Sequence, residues 1–266
     1  MTEGSDGTEG VEILPADRAG SFVLRMSGMD QSYVDLADPT RLVFEYVRRL
    51  GDVVDACAPA GAAVRVVHVG GAAMTLPRYV AATRPRSAQV VLEPAAGVTE
   101  LVRRELPLSR GSGIKVRPVD GRAGVAALRD SSVDLLVVDA FADARVPASL
   151  VTPAFFADAA RVLGDGVVAL NLTDRAPFGW TRRAVASLRT AFPHLLLTAE
   201  PATLRAKRLG NLVVVASRGA VPLETLRRRA TTAGSPYRVL DAAAVSDSFG
   251  GGTPFSDADA EPSPAP

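Results

Sequence analysis

Apolar and polar residues follow one another along this chain in a pattern that predicts alternating strands and helices. Segments of helical length separate seven short apolar runs, an alternation typical of strand–helix–strand units in a parallel sheet. We therefore predict an α/β fold with a seven-stranded, mostly parallel sheet and helices on both faces. The seven runs are residues 64–69, 89–92, 114–119, 133–138, 167–172, 195–198 and 212–216.

The flanking residues predict an N-terminal element and a tail. Apolar runs at 11–14 and 22–26 predict a β-hairpin, residues 31–35 a loop, and an apolar stripe beginning at Leu42 a helix that starts at Pro39 behind an Asp38 cap. Both termini have compositions typical of disorder. The predicted organisation is a disordered terminus (1–10), hairpin and helix (11–58), nucleoside-binding domain (59–245) and flexible acidic, proline-rich tail (246–266).

Residues suited to ligand binding fall at the ends of the first four core strands. The first strand runs into Gly70-Gly71, which would let the backbone turn sharply and approach a ligand closely. The second ends at Glu93, at the spacing from the glycines where an acid accepts the hydroxyls of a ribose. The third ends at Asp120-Gly121 and the fourth at Asp139. Since the carboxyl ends of parallel strands share one edge of a sheet, we predict that these residues line one crevice.

Three carboxylates in one crevice favour a cationic ligand without phosphate. A pyrophosphate binds helix N–H groups rather than acids, and Gly70-Gly71 is followed by Ala72, Ala73 and Met74 rather than by a complete G-x-G-x-x-G motif. An NAD-dependent dehydrogenase is therefore disfavoured. S-adenosylmethionine and its decarboxylated form are cationic and carry no phosphate, and we predict one of them as co-substrate.

In this order and spacing, the residues resemble the spermidine synthase-like branch of the class I S-adenosylmethionine-dependent transferases. The resemblance implies a small N-terminal β-element on a Rossmann-like domain. It also implies transfer of an aminopropyl group from decarboxylated S-adenosylmethionine to a small amine acceptor, a step of polyamine biosynthesis. It covers residues 22–217 and rests on Gln31-Ser32, the segment from His68 to Arg78, Glu93, Asp120-Gly121, Asp139 and Val146-Pro147-Ala148.

The same resemblance implies a role for each site residue. Glu93 would hold the ribose, Asp120 the adenine amino group, and Gln31 would lie near the acceptor or the nucleoside. Asp139 would stand beside the reacting amine, attract its ammonium form and take a proton. The nucleoside-binding candidates include the glycines Gly70, Gly71 and Gly121. The candidates for binding the acceptor are Asp143 and Tyr33.

Two departures from the family pattern keep other functions open. The glycine loop carries Ala72-Ala73 where spermidine-producing members usually carry an aspartate that grips the ligand's amine, which favours methyl transfer as an alternative. A Tyr-His pair that usually follows the Gln-Ser is absent from residues 36–41. Its absence favours a third hypothesis, a non-catalytic relative that senses the nucleoside or binds a partner.

Composition sets the remaining expectations. The chain has 266 residues, 47% of them hydrophobic, and a net charge of +1, which gives no long-range attraction to nucleic acid or to an anionic membrane. No signal peptide or membrane-spanning run is visible, and a lone Cys57 suits a reducing cytoplasm. One cysteine and two separated histidines do not supply the ligands of a structural zinc site, so we expect no metal. We predict a cytoplasmic enzyme, whose N-terminal hairpin could pair across a homodimer.

Overall fold

A three-stranded antiparallel sheet forms the N-terminal element of the computed structural model, which describes residues 8–205 and 208–266. Its strands are β1 (Val11–Pro15), β2 (Ser21–Met26) and β3 (Met29–Asp35). The predicted hairpin gains a third strand, because residues predicted as a loop pair with β2 over its whole length. Of the segment predicted to be disordered, residues 1–10, the first seven lie outside the described residues.

The main sheet contains the predicted parallel core and one strand more than expected. Its strands are β4 (Arg65–Val69), β5 (Ala88–Leu92), β6 (Ile114–Arg117), β7 (Leu135–Val138), β8 (Val167–Asp174), β9 (His194–Ala199), β10 (Gly210–Ser217) and β11 (Arg238–Leu240). Their spatial order is β11-β9-β10-β8-β7-β4-β5-β6. Strands β4 to β8 pair in parallel, whereas β10 pairs antiparallel with β8 and β9, and β11 with β9. The eighth strand, β11, has only three residues, too few for a periodic pattern to show.

Helices cover both faces of this sheet, as predicted. Successive strand residues point to opposite faces of the sheet, and both faces are buried: Val66 packs in one apolar cluster and Val67 in the other. Among the described residues, no helix is long and apolar enough to cross a bilayer. The helices are α1 (Glu45–Ala56), α2 (Thr75–Thr83), α3 (Ala96–Glu105), α4 (Gly121–Ala126), α5 (Pro153–Leu163), α6 (Gly179–Arg189), α7 (Pro201–Leu204), α8 (Leu223–Thr232) and α9 (Ala242–Phe249), with a 3₁₀ turn at Ala148–Leu150.

Helix α1 starts later than the sequence predicts. The Asp38 carboxylate accepts hydrogen bonds from the backbone N–H and the hydroxyl of Thr40, at 3.1 and 2.5 Å, and so forms a local turn instead of a helix cap. The helix begins at Glu45, with no side-chain cap at Phe44. The later start places Tyr46 in the first turn of the helix.

The C-terminal residues pack against the domain, in contrast to the flexible tail predicted from composition. Residues 246–249 belong to α9, and Phe255 is 1% exposed. Further on, the Trp180 indole donates to the carbonyl of Glu261 at 2.9 Å, and Ser263 exchanges hydrogen bonds with Val146. A few anchoring residues therefore order a segment whose average composition is that of a disordered chain.

Candidate active site

A crevice of about 400 Å³ opens at the carboxyl ends of β4 to β7. The N-terminal sheet borders it, because Met26, Gln31 and Ser32 are part of the lining. All the acids predicted at strand ends face this one space, so the parallel sheet brings together side chains that are distant in sequence. The predicted residues among its lining are Gln31, Gly70, Gly71, Glu93, Asp120, Gly121 and Asp139.

The glycine turn allows the ends of β4 and β7 to approach each other closely. Gly70 has a φ of +80°, and a Cβ there would collide with the backbone of Asp139 and Ala140. A Cβ on Gly71 would stand 2.5 Å from Cγ1 of Val91. Only glycine combines this conformation with this approach, so the turn leaves backbone exposed to the crevice.

Glu93 ties the glycine turn to the loop after β5. Its Oε2 accepts hydrogen bonds from the backbone N–H groups of Gly71, at 3.1 Å, and Ala72, at 3.5 Å. Its Oε1 accepts from the N–H of Ala95 at 3.0 Å. Each carboxylate oxygen can accept more than one bond, so the side chain holds the turn while it still faces the crevice.

Asp120 combines a structural role with its place in the crevice. One oxygen, Oδ1, caps α4 by accepting from the N–H groups of Arg122 and Ala123, at 2.9 and 3.1 Å. The structure shows no bond to Oδ2 from these groups. The next residue is Gly121, where a Cβ would collide with Val69, so the start of α4 lies directly against β4.

Asp139 lies at the end of β7, on the crevice floor. Its N–H donates to the carbonyl of Val69 at 2.9 Å, and its Oδ1 accepts from Nδ2 of Asn171 at 2.9 Å. Burial raises the pKa of Asp139 to about 6, while the Asn171 hydrogen bond acts in the opposite direction. An aspartate with such a pKa is still mainly ionised at neutral pH but is a far better proton acceptor than an exposed one.

Tyr46 faces the same crevice from the first turn of α1. Burial, and after it the negative charge of Asp139, raise the pKa of Tyr46 well above its ordinary value. The phenol therefore stays protonated beside the carboxylate. Tyr46 also lines a second cavity of about 350 Å³, so its ring stands where the two spaces adjoin.

His68 lines the crevice as a neutral, hydrogen-bonded side chain. Its Nε2 lies 3.0 Å from Oε1 of Gln89, whose amide nitrogen donates to the carbonyl of Pro77. The Gln89 oxygen must then accept, which makes Nε2 of His68 the donor. Burial lowers the pKa of His68 to about 4, so at neutral pH the ring is uncharged and keeps only the N–H that it donates to Gln89.

The structure does not bring the two predicted acceptor-binding residues to the crevice. The Tyr33 hydroxyl donates to Asp17 at 2.6 Å and also contacts Arg41, and the residue is only 5% exposed. Asp143 occupies an exposed left-handed turn, with φ of 50°, in the loop after Asp139. Neither side chain is among the described residues that line the cavity.

Two residues that the sequence did not single out contribute to the site. Tyr46 was hidden in the apolar stripe of α1, where an aromatic residue is usually part of the core. Asn171 interrupts the apolar run of β8 and is 1% exposed. A polar side chain inside a buried strand needs a hydrogen-bond partner, and that rule could have identified it.

Comparisons with known proteins agree with this architecture. No protein-family model matches the sequence, and no curated protein matches it. A probable spermidine synthase from Corynebacterium glutamicum ATCC 13032 has a TM-score of 0.85 and 25% identity over 93% of this chain and 92% of that chain. A spermidine synthase in complex with the transition-state analogue AdoDATO has a TM-score of 0.58 and 16% identity over 86% and 77% of the two chains.

A methyltransferase also shares the fold. Human methyltransferase-like protein 13, in complex with SAH, has a TM-score of 0.57 and 21% identity over 70% of this chain and 90% of that chain. The predicted resemblance is confirmed at the level of structure: the chain has the fold of the spermidine synthase-like branch of class I S-adenosylmethionine-dependent transferases.

Proposed function

We propose that this chain, with its spermidine synthase-like fold, moves an aminopropyl group from decarboxylated S-adenosylmethionine to an amine acceptor. The observation that carries the proposal is the position of Asp139 and the raised pKa of its carboxyl group. This group has a pKa raised to about 6 and faces the crevice together with Glu93 and Asp120. A carboxylate of this kind attracts an ammonium group and can take a proton from it.

The proposed reaction is a displacement at carbon in which Asp139 accepts one proton from the acceptor. The acceptor arrives as an ammonium ion, and Asp139 removes a proton to free the nitrogen lone pair. The nitrogen then forms a bond to the aminopropyl carbon beside the sulfonium, the carbon–sulfur bond breaks, and its electron pair stays on sulfur, which becomes a neutral thioether. Holding nitrogen, carbon and sulfur in line supplies much of the rate.

The nucleoside would lie along the ends of β4 to β6. Glu93 is proposed to accept the ribose hydroxyls in addition to its bonds to the glycine turn. Asp120 keeps Oδ1 on α4, so Oδ2 is the oxygen proposed to accept the adenine amino group. The glycine turn, with no Cβ in the way, would let the ligand lie against the backbone.

The second cavity, which shares Tyr46 with the crevice, offers room for the acceptor. Two positive and three negative side chains in its lining sum to a formal charge of −1. Each acid of the lining is ion-paired with an arginine: Asp30 with Arg25, Glu45 with Arg48 and Arg49, and Glu200 with Arg208. Because Tyr46 lines both spaces, we propose that the acceptor extends from Asp139 past Tyr46 into the second cavity. The charged residues of the lining are Asp30, Glu45, Arg49, Glu200 and Arg208.

Titration calorimetry with both sulfonium nucleosides tests the proposal. We expect tighter binding of decarboxylated S-adenosylmethionine than of the parent compound, and release of the thioether nucleoside when a diamine is added. Asp139→Asn should abolish turnover and change nucleoside affinity by no more than a few-fold. Asp143→Asn, in the same loop but outside the cavity lining, is the matched control and should retain turnover. Failure to bind either nucleoside would contradict the proposal.

Methyl transfer is the second candidate, and the glycine turn favours it. Ala72 and Ala73 occupy the turn where spermidine-producing members usually carry an aspartate for the ligand's amine. Without that carboxylate, the turn would accept the intact amino-acid part of S-adenosylmethionine with less repulsion. Preference for the parent nucleoside, with transfer of its labelled methyl group, would support this alternative over aminopropyl transfer.

A further inference from the structure

Three hydrogen-bonded polar side chains form a row across neighbouring strands, from the second cavity to the crevice floor. The Nδ2 group of Asn211 on β10 donates to Oδ1 of Asn171 on β8 at 3.0 Å. The Nδ2 group of Asn171 donates in turn to Oδ1 of Asp139 at 2.9 Å. Asn211 lines the second cavity, whereas Asp139 lines the crevice.

Strand register brings these side chains together. In the β7–β8 pair Val138 lies opposite Leu170, so the next residues, Asp139 and Asn171, are adjacent across the strand ends. In the antiparallel β8–β10 pair Asn171 lies opposite Val213, which makes Asn211 its diagonal neighbour. Diagonal neighbours on one face of a sheet are within reach of an amide side chain.

The direction of these two hydrogen bonds determines which protonation state of Asp139 they stabilise. An asparagine amide has a donor end and an acceptor end, and either could face Asp139 if nothing oriented it. Because Asn211 donates to its oxygen, Asn171 must present its NH₂ group to Asp139. A donor stabilises the ionised carboxylate, whereas a carbonyl oxygen in the same place would stabilise the protonated acid.

Other groups around Asp139 do not perform this role. From α1, Tyr46 is a protonated phenol, and from β4, His68 is neutral and bonded to Gln89. The two other acids of the crevice, Glu93 and Asp120, accept hydrogen bonds from backbone N–H groups and donate none to Asp139. Of the described residues, Asn171 is the one whose side chain donates a hydrogen bond to the Asp139 carboxylate.

We propose that Asn171 and Asn211 are positioning residues that act as one unit: Asn211 orients the amide of Asn171, and Asn171 holds one oxygen of Asp139 in its ionised, proton-accepting state. Oδ2 of Asp139 is then left for the amine. The proposal rests on the role of Asp139 in the proposed function, and it gives a reason for the two amides, Asn171 on β8 and Asn211 on β10, in strands that are otherwise mainly apolar.

Carboxyl-carbon NMR of aspartate-labelled protein tests this without any substrate. The Asp139 signal is assigned by its loss in Asp139→Asn, and its titration midpoint is compared among variants. In Asn171→Leu we expect the midpoint to rise by about one pH unit, because a charge-assisted hydrogen bond is lost. Asn211→Leu should raise it in the same direction by a smaller amount, because Asn171 is no longer oriented.

Thr173→Val is the matched control. Thr173 lies two residues beyond Asn171 on β8 and bonds to Ser263 rather than to Asp139, so its removal should leave the midpoint unchanged. If Asn171→Leu does not fold, Asn211→Leu decides alone, since Asn211 does not touch the carboxylate. An Asp139 midpoint in Asn211→Leu equal to that of the unmodified protein would overturn the proposal.

The pH profile of turnover gives an independent readout. In both leucine variants the acidic limb should move to higher pH in step with the NMR midpoint, and activity should recover as pH is raised. A shift in the NMR midpoint without turnover of either nucleoside would refute the proposed function and leave the positioning unit intact. An unshifted NMR midpoint with normal turnover would refute the positioning unit and leave the proposed function intact.

Discussion

Replacing Asp139 by Asn should stabilise the folded protein while it removes turnover. The carboxyl pKa of Asp139 is about 6 in the fold, against an ordinary value of 3.8. The folded protein therefore holds this proton more tightly than the unfolded chain does. The contribution of Asp139 to the free energy of unfolding is greatest below about pH 4 and is lost as pH rises through about 6. The sign follows from a raised acid pKa: the ionised form is the disfavoured one in the fold.

The size of the effect follows from that shift. A difference of about two pK units, at 1.36 kcal/mol per unit, corresponds to about 3 kcal/mol at neutral pH. Since Asp139 opens onto the crevice, water offsets part of the penalty, and about 3 kcal/mol is an upper value. An asparagine has no charge to bury, and its oxygen can still accept from Asn171. The variant should thus be more stable at about pH 7.5, with less than about 1 kcal/mol of the advantage left at about pH 4.

Urea unfolding followed by tryptophan fluorescence at these two pH values measures the difference. Asp143→Asn is the control, because that exposed carboxylate lies in the same loop and should show no pH-dependent gain. The reasoning is refuted if Asp139→Asn is no more stable than the unmodified protein at the higher pH. It is equally refuted if the gain is the same at both pH values, since only linkage to the Asp139 proton makes it vary.

Three further predictions concern the glycine turn, the acid proposed to bind the ribose and the C-terminal residues. Glu93→Ala should weaken nucleoside binding about 10- to 100-fold in calorimetry and also lower the melting temperature, because a charge-assisted contact to the ligand and the hydrogen bonds to the glycine turn are both lost; unchanged affinity would contradict the assignment. Gly70→Ala should destabilise the fold by roughly 1–3 kcal/mol in urea, because a Cβ is strained at positive φ and meets Asp139; a neutral result would show that the turn can relax. Removing residues 261–266 should speed hydrogen exchange in residues 140–147 more than elsewhere, and equal exchange in the two forms would contradict that coupling.

The convergence of the acids was predictable because it depends on chain order alone. Glu93, Asp120 and Asp139 each follow an apolar run, and in a parallel sheet every such end lies at the same edge. No side-chain packing has to be known for this inference. The glycine turn was predictable for a similar reason, since a strand that turns into a helix beside another strand end leaves no room for a Cβ.

Residues whose partners are distant in the chain could not be assigned in this way. Tyr33 follows Gln31 by two positions, yet its hydroxyl is taken by Asp17 and Arg41 on other segments of the N-terminal element. Asp139 was identified as a crevice residue, but the pKa of its carboxyl group is set first by burial and then by the hydrogen bond from Asn171 on β8, which itself accepts from Asn211 on β10. Local pattern shows that a polar residue is buried; only the pairing of strands shows which group it serves.

The C-terminal residues affect the crevice through contacts that their composition conceals. The hydroxyl of Ser263 accepts from the N–H of Val146 at 2.9 Å, and its own N–H donates to the Val146 carbonyl at 3.1 Å. Val146 belongs to the loop whose Phe141 and Pro147 line the crevice. These bonds hold a loop rather than the apolar core, so their loss should change ligand binding more than the free energy of unfolding. A segment rich in proline, acids and small residues can thus hold a crevice-lining loop in place, provided that a few of its groups meet fixed partners.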